Sequence, residues 1–458
     1  MRKVLIIAYY FPPSGGPGVQ RVLKFVQYLR DFGWEPVVLT VKDGTFPARD
    51  ESLLEEIPEG VAVYRTDIFE PYEIYRRFTG AKKIDGVDVN NLKSADAGRS
   101  LTERISEFIR ATFFIPDARV GWRRHAVREG LRIIRDEGID ALYSSSPPYT
   151  CSLIARDLSR KSNLPWVAGF RDPWTGFLTT PDRWFIPAKI DRSLERSVFS
   201  EAEAVDVAWT GIRDDALEKY PELPRDRFHH LPNGFDSNDF PDISAGERTD
   251  RRFTITYTGS MYGVRTPREF LDALCRLLDS GDIPPEDVRL RFIGRFGEEV
   301  HEMFRSFPYP DLIDIDGYMP HSESIRQLLL SDALLLVVDT TGDSAEIVPG
   351  KVYEYIGTGL PVIAVAPESG AIAELMKETG AGLVAHQTNV DGIAENILAV
   401  YRHHTGQESP VHPDREAINR YERRTVTGEL ARLLDSVCSD ASGRAKVTDN
   451  RTREADHA

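Results

Sequence analysis

The chain has 458 residues, with 57 Lys and Arg against 72 Asp and Glu, a formal net charge of -15. Hydrophobic residues make up 41% and charged residues 28%, the balance of an ordinary soluble globular protein. This excludes collagen, a disordered chain and a disulfide scaffold, and the acidic surplus excludes a general nucleic-acid binder, which carries a basic footprint. The length predicts two or three domains.

The first apolar run, residues 4–11, is far short of the ~20 residues that span a bilayer. It ends in Pro12-Pro13 without a small-x-small cleavage pattern, so it reads as a buried strand rather than a signal peptide. Further runs follow at 36–40, 141–144, 166–170 and 205–209. A second set occupies 253–257, 290–293, 333–338, 362–365 and 382–385. They are rich in Val, Ile and Leu and lack polar alternation, as do parallel strands covered on both faces. Helical patterns lie between them, at 19–32, 149–161, 267–278, 322–330 and 371–377. Two doubly wound α/β domains are therefore expected. The turn Pro232-Asn233-Gly234 marks the seam. The predicted boundaries are 1–232, 233–412, a crossover helix over 413–437, and a polar tail without ordered structure over 438–458. The three cysteines, Cys151, Cys275 and Cys438, form no CxxC pair. That pattern suits a reducing compartment, so the protein is expected in the cytoplasm or at the inner face of the plasma membrane.

The first strand feeds a glycine-rich stretch, Gly15-Gly16-Pro17-Gly18, ahead of a helix. Such a turn exposes backbone N–H groups to an anion, or is simply a flexible strand-to-helix turn. Arg21 occupies the third glycine of a dinucleotide fingerprint, which weakens that reading. A P-loop is excluded, because Gly350-Lys351 is followed by Val352 rather than Ser or Thr. Asp314-Ile315-Asp316 has the Asp-x-Asp spacing of a divalent-metal site. Alternation with Ile313 favours a strand end with one wet face. The pairs His229-His230 and His403-His404 read as surface histidines.

Residues 344–364 are more informative. Pro349-Gly350 can start a helix that Gly357 and Gly359 end. Lys351 and Glu354 fall on one face of it. A helix N-terminus with Lys351 suits a phosphate, and Glu354 one turn along suits two adjacent ribose hydroxyls. The alternative is an i, i+3 surface ion pair. Arg265 lies in the loop after the first strand of the second domain, where ligands of open α/β sheets bind.

With these motifs in place, the sequence resembles the family-4 glycosyltransferases, retaining enzymes of the GT-B architecture. The resemblance runs from Met1 to about Val437. Ser145-Ser-Pro-Pro148 and Phe170-Arg-Asp-Pro-Trp174 resemble a subgroup that builds surface polysaccharides. Leu231-Pro-Asn-Gly-Phe-Asp236 resembles the domain junction, and Thr258-Gly259, Phe292-Ile-Gly294 and Gly317-Tyr-Met-Pro-His321 follow in the family's order. The diagnostic Glu-x7-Glu is met by Glu346 and Glu354, ahead of Gly-x-Gly-x-Pro-Val-Ile.

The resemblance implies two Rossmann-like domains facing across a cleft, with the C-terminal helix packing back on the first. It implies transfer of a sugar from a nucleotide-sugar donor to a glycan or lipid-linked acceptor, with no metal and no cofactor. Glu354 would hold the ribose, Glu346 the donor sugar, and Arg265 and Lys351 the diphosphate. Gly15, Gly16, Gly259, Gly294 and Gly350 complete the donor side. Ser260 stands where the family usually has Arg, and Lys351 is our expected compensation. Asp172 lies where many members carry a catalytic histidine, with its role open between catalysis, acceptor contact and folding. The alternatives are a nucleotide-sugar epimerase of the same fold and a non-catalytic sugar- or partner-binding module. Residues 76–83 and 101–135 are rich in Arg and Lys, with Phe108, Phe113, Phe114 and Trp122 in the second stretch. They suit anionic lipid headgroups, or are ordinary helices with solvated arginine faces.

Overall fold

The computed structural model describes residues 1–46, 48–69, 108, 111–176, 180–244, 247–248, 250–341 and 344–455. The basic stretch 76–83 and most of 101–110 lie outside them. The chain forms two compact units, Met1–Pro232 with Val426–Ala458, and Asn233–Thr425.

The first unit runs β1 (Arg2–Ile7), α1 (Pro17–Tyr28), β2 (Trp34–Val41), β3 (Ala62–Thr66), α2 (Arg123–Glu137), β4 (Ala141–Ser146), α3 (Thr150–Ser162), β5 (Trp166–Phe170), α4 (Phe185–Glu201), β6 (Ala204–Val207), α5 (Thr210–Lys219) and β7 (Phe228–His230). Its seven strands are parallel, in the order β3-β2-β1-β4-β5-β6-β7. The order reverses between β1 and β4, where Val4 pairs both Pro36 and Ala141. Alternate residues of β1 feed opposite layers. Leu5 and Ile7 join one core cluster, and Val4 and Ile6 join the other with Val19, Val22, Leu23 and Val26 of α1. This is why the strand reads as an unbroken apolar run.

Arg21, also on α1, is buried and forks onto Asp206 of β6 at 2.8 Å. The same guanidinium donates to the carbonyls of Leu231 and Pro232 at 2.8 Å. Tyr143 completes the set, donating to Asp206 at 2.7 Å. The residue that breaks the dinucleotide fingerprint therefore ties Leu231 and Pro232, the end of the first segment of this unit, to its sheet.

The second unit runs β8 (Phe253–Thr258), α6 (Arg268–Asp279), β9 (Val288–Ile293), α7 (Glu298–Ser306), β10 (Ile313–Asp316), α8 (His321–Leu329), β11 (Ala333–Val337), α9 (Lys351–Thr358), β12 (Val362–Val365), α10 (Ala371–Thr379), β13 (Gly382–Ala385), α11 (Val390–His404) and α12 (Arg415–Asn419). Its six parallel strands are ordered β10-β9-β8-β11-β12-β13, reversing between β8 and β11. Near its two ends, Phe235 N–H donates to Tyr421 O at 3.0 Å and Arg423 N–H donates to Phe235 O at 2.8 Å.

The last helix, α13 (Arg423–Ala455), carries Val426, Leu430, Leu434 and Val437 into the core of the first unit, with Val4, Ile6 and Leu231. The helical backbone continues past Val437, where the sequence reading ends it and expects an unordered tail. The apolar stripe stops there, but no proline follows to break the helix. Among the described residues no helix is long and apolar enough to cross a membrane.

Candidate functional site

In the second unit the expected donor residues gather at the carboxyl ends of β8, β9 and β11, beside the reversal of strand order. Tyr355 of α9 is fully buried, and its hydroxyl accepts from Thr258 N–H at 2.9 Å, which fixes α9 against the end of β8. Lys351, in the first turn of α9, turns inward. Its amine donates to Thr258 O and sits 3.9 Å from the centroid of the Tyr257 ring. Two glycines make this approach feasible. A Cβ on Gly259 would fall 2.5 Å from Lys351 Nζ, and a Cβ on Gly294 would fall 2.0 Å from Gly259 O. Their φ angles of 110° and 141° also favour glycine.

Burial, and then the neighbouring Arg265, hold the Lys351 amine well below the usual lysine range, partly opposed by Glu354 and Asp339. Arg265 Nε–H donates to Oδ1 of Asp339, which follows β11. The amine of Lys351 and the guanidinium of Arg265 thus converge where the N-terminus of α9 adds a partial positive charge. Ser260 accepts from Tyr257 Oη through its carbonyl at 3.0 Å, so its contribution here is backbone.

Glu354 lies one turn along α9, half-buried, with Oε1 2.7 Å from His321 Nε2. Lys351 turns to Thr258 and Glu354 to His321, so the alternative of a simple i, i+3 ion pair does not form. Glu346 is exposed at the end of a short 3-10 turn over Ser344–Glu346. Gly370 supports that turn, since a Cβ there would fall 2.4 Å from Ala345 O. Gly350 caps α9 in ordinary right-handed backbone with open space around it, so a side chain fits there.

Gly15, Gly16 and Asp172 belong to the first unit. Gly15 is buried and donates to Ala48 O at 3.0 Å, while Gly16 is exposed at the start of α1. Behind Gly18 lies the guanidinium of Arg171, which also donates to Pro147 O. The start of α1 and the carboxyl ends of β4 and β5 therefore meet at Arg171. Burial pushes the Asp172 carboxyl up, opposed by Arg171. The adjacent Trp174 is structural. It stacks on Tyr149 at 4.7 Å and donates to Asp191 at 2.9 Å.

The aspartates of the Asp-x-Asp pair face arginines of β9. Asp314 pairs Arg289, and Asp316 lies 3.5 Å from Arg291. Among the described residues no cluster of three or more His, Cys, Asp or Glu is placed to hold a metal. His404 is not a free surface histidine, because it bonds Asp332 at 2.9 Å. Of the aromatics in 101–135, Phe114 and Trp122 are buried, whereas Phe108 and Phe113 are exposed.

Sequence reasoning did not single out Asp339, Tyr257, Tyr355 or Gly370 for this site, nor assign His321 to Glu354. Asp339 had one usable signal, its place directly after a buried strand.

Two parallel α/β units, one with a lysine and an arginine converging at its strand ends, define a nucleotide-binding type of architecture. Residues 252–403 match the family described as glycosyl transferases group 1, and residues 15–234 match the glycosyl transferase 4-like domain. Together these spans cover most of the chain, which belongs to the family-4 glycosyltransferases and has their GT-B fold. No curated protein matches it in sequence. Among solved structures it is similar to Alr3699/HepE from Anabaena in complex with UDP, at TM-score 0.60 and 14% identity, covering 95% of this chain and 100% of that one. It is also similar to the lipopolysaccharide outer core galactosyltransferase WaaB, at TM-score 0.56 and 12% identity, covering 95% and 99%. A putative UDP-N-acetylglucosamine 2-epimerase from Listeria monocytogenes shares the fold at TM-score 0.51 and 14% identity, covering 93% and 94%.

Proposed function

We propose that the protein is a retaining glycosyltransferase that takes its sugar from a nucleotide-sugar donor and needs no metal. The acceptor is a glycan or lipid-linked saccharide, and the product belongs to cell-surface polysaccharide or glycoconjugate synthesis. The observation that carries this reading is the convergence of Lys351 and Arg265 beside the N-terminus of α9, with Glu354 one turn further along.

Cleavage of the sugar–phosphate bond puts negative charge on the departing diphosphate and positive charge on the sugar ring. Lys351, Arg265 and the helix N-terminus are preorganised to take up the negative charge. Glu354 binds the ribose hydroxyls. A carboxylate has about four acceptor positions, so its bond to His321 leaves room for them. Glu346 holds hydroxyls of the donor sugar. In front-side attack the acceptor oxygen bonds the anomeric carbon on the face the diphosphate leaves, and a diphosphate oxygen takes the acceptor proton. The Anabaena structure holds UDP, which makes a uridine nucleotide the first donor to try.

The test is a panel of nucleotide sugars, read by thermal shift and by donor turnover with and without saccharide acceptors, in the presence of a chelator. One donor class should stabilise the protein and turn over with the chelator present. Activity lost to the chelator and restored by Mn²⁺ would overturn the metal-free mechanism. Conversion of the donor to its epimer without an acceptor would overturn the transferase.

A further inference from the structure

The outer face of α4 carries apolar and basic side chains that no described residue covers. Phe185 is 78% exposed, Ile186 53% and Ile190 46%, and Trp184 just ahead of the helix is 44% exposed. At 100° per residue, the exposed positions 185, 186, 189, 190, 192, 193 and 196 fall on one contiguous side. Lys189 and Arg192 stand among the apolar residues on that side, and among the described residues no ion pair engages either. Arg196 is neutralised by Glu222 at 2.7 Å.

The acidic residues of the same turns point the other way. Asp191 is buried against Arg183 and Trp174, and Glu195 against Thr175 and Tyr220. The helix therefore sorts its charges, acids inward and bases outward, within three turns. The nearest exposed carboxylate along the chain is Asp182, in the loop before the helix.

The patch extends to a second segment. Trp184 Nε1 donates to Thr112 Oγ1 at 3.0 Å, and Arg183 donates to the carbonyls of Ala111, Phe114 and Pro116. These bonds hold Phe113, which is 72% exposed, beside the start of α4. A tryptophan, exposed phenylalanines and isoleucines, and outward cations on a rigid helix make up the composition of an interfacial anchor.

We infer that the outer face of α4, with Trp184 and Phe113, docks on an anionic lipid bilayer. A protein partner would need to match bulky apolar groups and unpaired cations together, whereas a phosphatidylglycerol surface offers both complements at once. This places the contact on residues 184–192 with Phe113, and it uses no residue of the donor site. Its failure would leave the transferase reading standing, and the reverse also holds.

The probe is the full chain with vesicles of phosphatidylcholine and one third phosphatidylglycerol, at low salt. Trp34, Trp122, Trp166 and Trp174 are at most 1% exposed and Trp209 is partly buried, so quenching by brominated acyl chains reports mainly on Trp184. Wild-type protein should co-sediment and be quenched. The pair Lys189→Glu/Arg192→Glu should bind at least about ten-fold more weakly, as should Phe185→Ser/Ile190→Ser. Lys189→Arg should bind as wild type. All changes are at exposed positions, and unchanged thermal unfolding confirms that the variants are folded. No co-sedimentation, equal binding to pure phosphatidylcholine, or unaltered binding by both double variants would overturn the inference. So would a dimer in sedimentation velocity that the same substitutions abolish, since the face would then be an interface between copies.

Discussion

Replacing Lys351 with Met keeps an unbranched four-atom stem and removes the amine. In the folded protein this deletes a charged hydrogen bond to Thr258 O, worth about 1.5–3 kcal/mol. It also deletes a cation–π contact at 3.9 Å, worth about 0.5–2 kcal/mol. Against these losses stands the desolvation of an enclosed ammonium, several kcal/mol when its partners are incomplete. The terms oppose, so stability should change by less than about 2 kcal/mol. Donor binding has no such offset. Losing one charge-assisted phosphate contact, about 1.5–3 kcal/mol, should weaken UDP roughly 10- to 150-fold. Titration calorimetry with UDP, paired with urea unfolding, separates the two effects. A folded Lys351→Met variant that binds UDP within about twofold of wild type would refute the assignment of Lys351 to the diphosphate. The same substitution carries a sign in pH. The folded amine titrates below its ordinary value, so the unfolded chain binds more protons between the two values. Wild-type stability should therefore rise as pH rises toward about 10.5, and that slope should be missing from Lys351→Met.

Glu354→Gln should weaken UDP about ten-fold while leaving inorganic pyrophosphate unchanged, because the carboxylate is assigned to the ribose; equal losses for both ligands would contradict that assignment. Gly294→Ala should lower unfolding stability by roughly 1–3 kcal/mol in urea, since the new Cβ meets Gly259 O in backbone unsuited to alanine. Burial pushes the Asp191 carboxyl up to about 6 despite Arg183, so folding favours its protonated form. Stability should then fall by roughly 3 kcal/mol as pH rises from about 4 to about 6. Urea unfolding of Asp191→Asn across that range should show a shallower slope, whatever its absolute stability.

The strands most visible in the sequence carry apolar runs, as β1, β2, β5, β11 and β12 do, and the shorter runs of β4, β6, β8, β9 and even the half-buried edge strand β13 are also placed. The strands that escaped are at the margins of the sheets. β3 has every residue only half-buried, and β7 has three residues ending in two histidines. Neither leaves a run long or apolar enough to notice. At the candidate site, the Lys351 and Glu354 spacing marked a helix face but not the direction of each side chain. Lys351 turns inward because Gly259 leaves the space for its amine, a vacancy created 92 residues away in sequence. The partnership of Arg265 with Asp339 depends in the same way on β8 and β11 lying side by side, which follows from the strand order rather than from any local pattern.

The hydrogen bonds joining Phe235 to Tyr421 and Arg423 have a consequence for how such a chain can be rebuilt. They bring the beginning and the end of the second unit together, so residues 233–425 behave as a single insert within the first unit. An insert whose ends meet can be lifted out or exchanged as one continuous stretch. The first unit has no such freedom, because Leu231 and Val426, on either side of the insert, share one core. On the reading proposed above, donor choice is thus carried by a portable cassette. The surface inferred to meet lipid belongs to a host assembled from the two segments that flank the cassette.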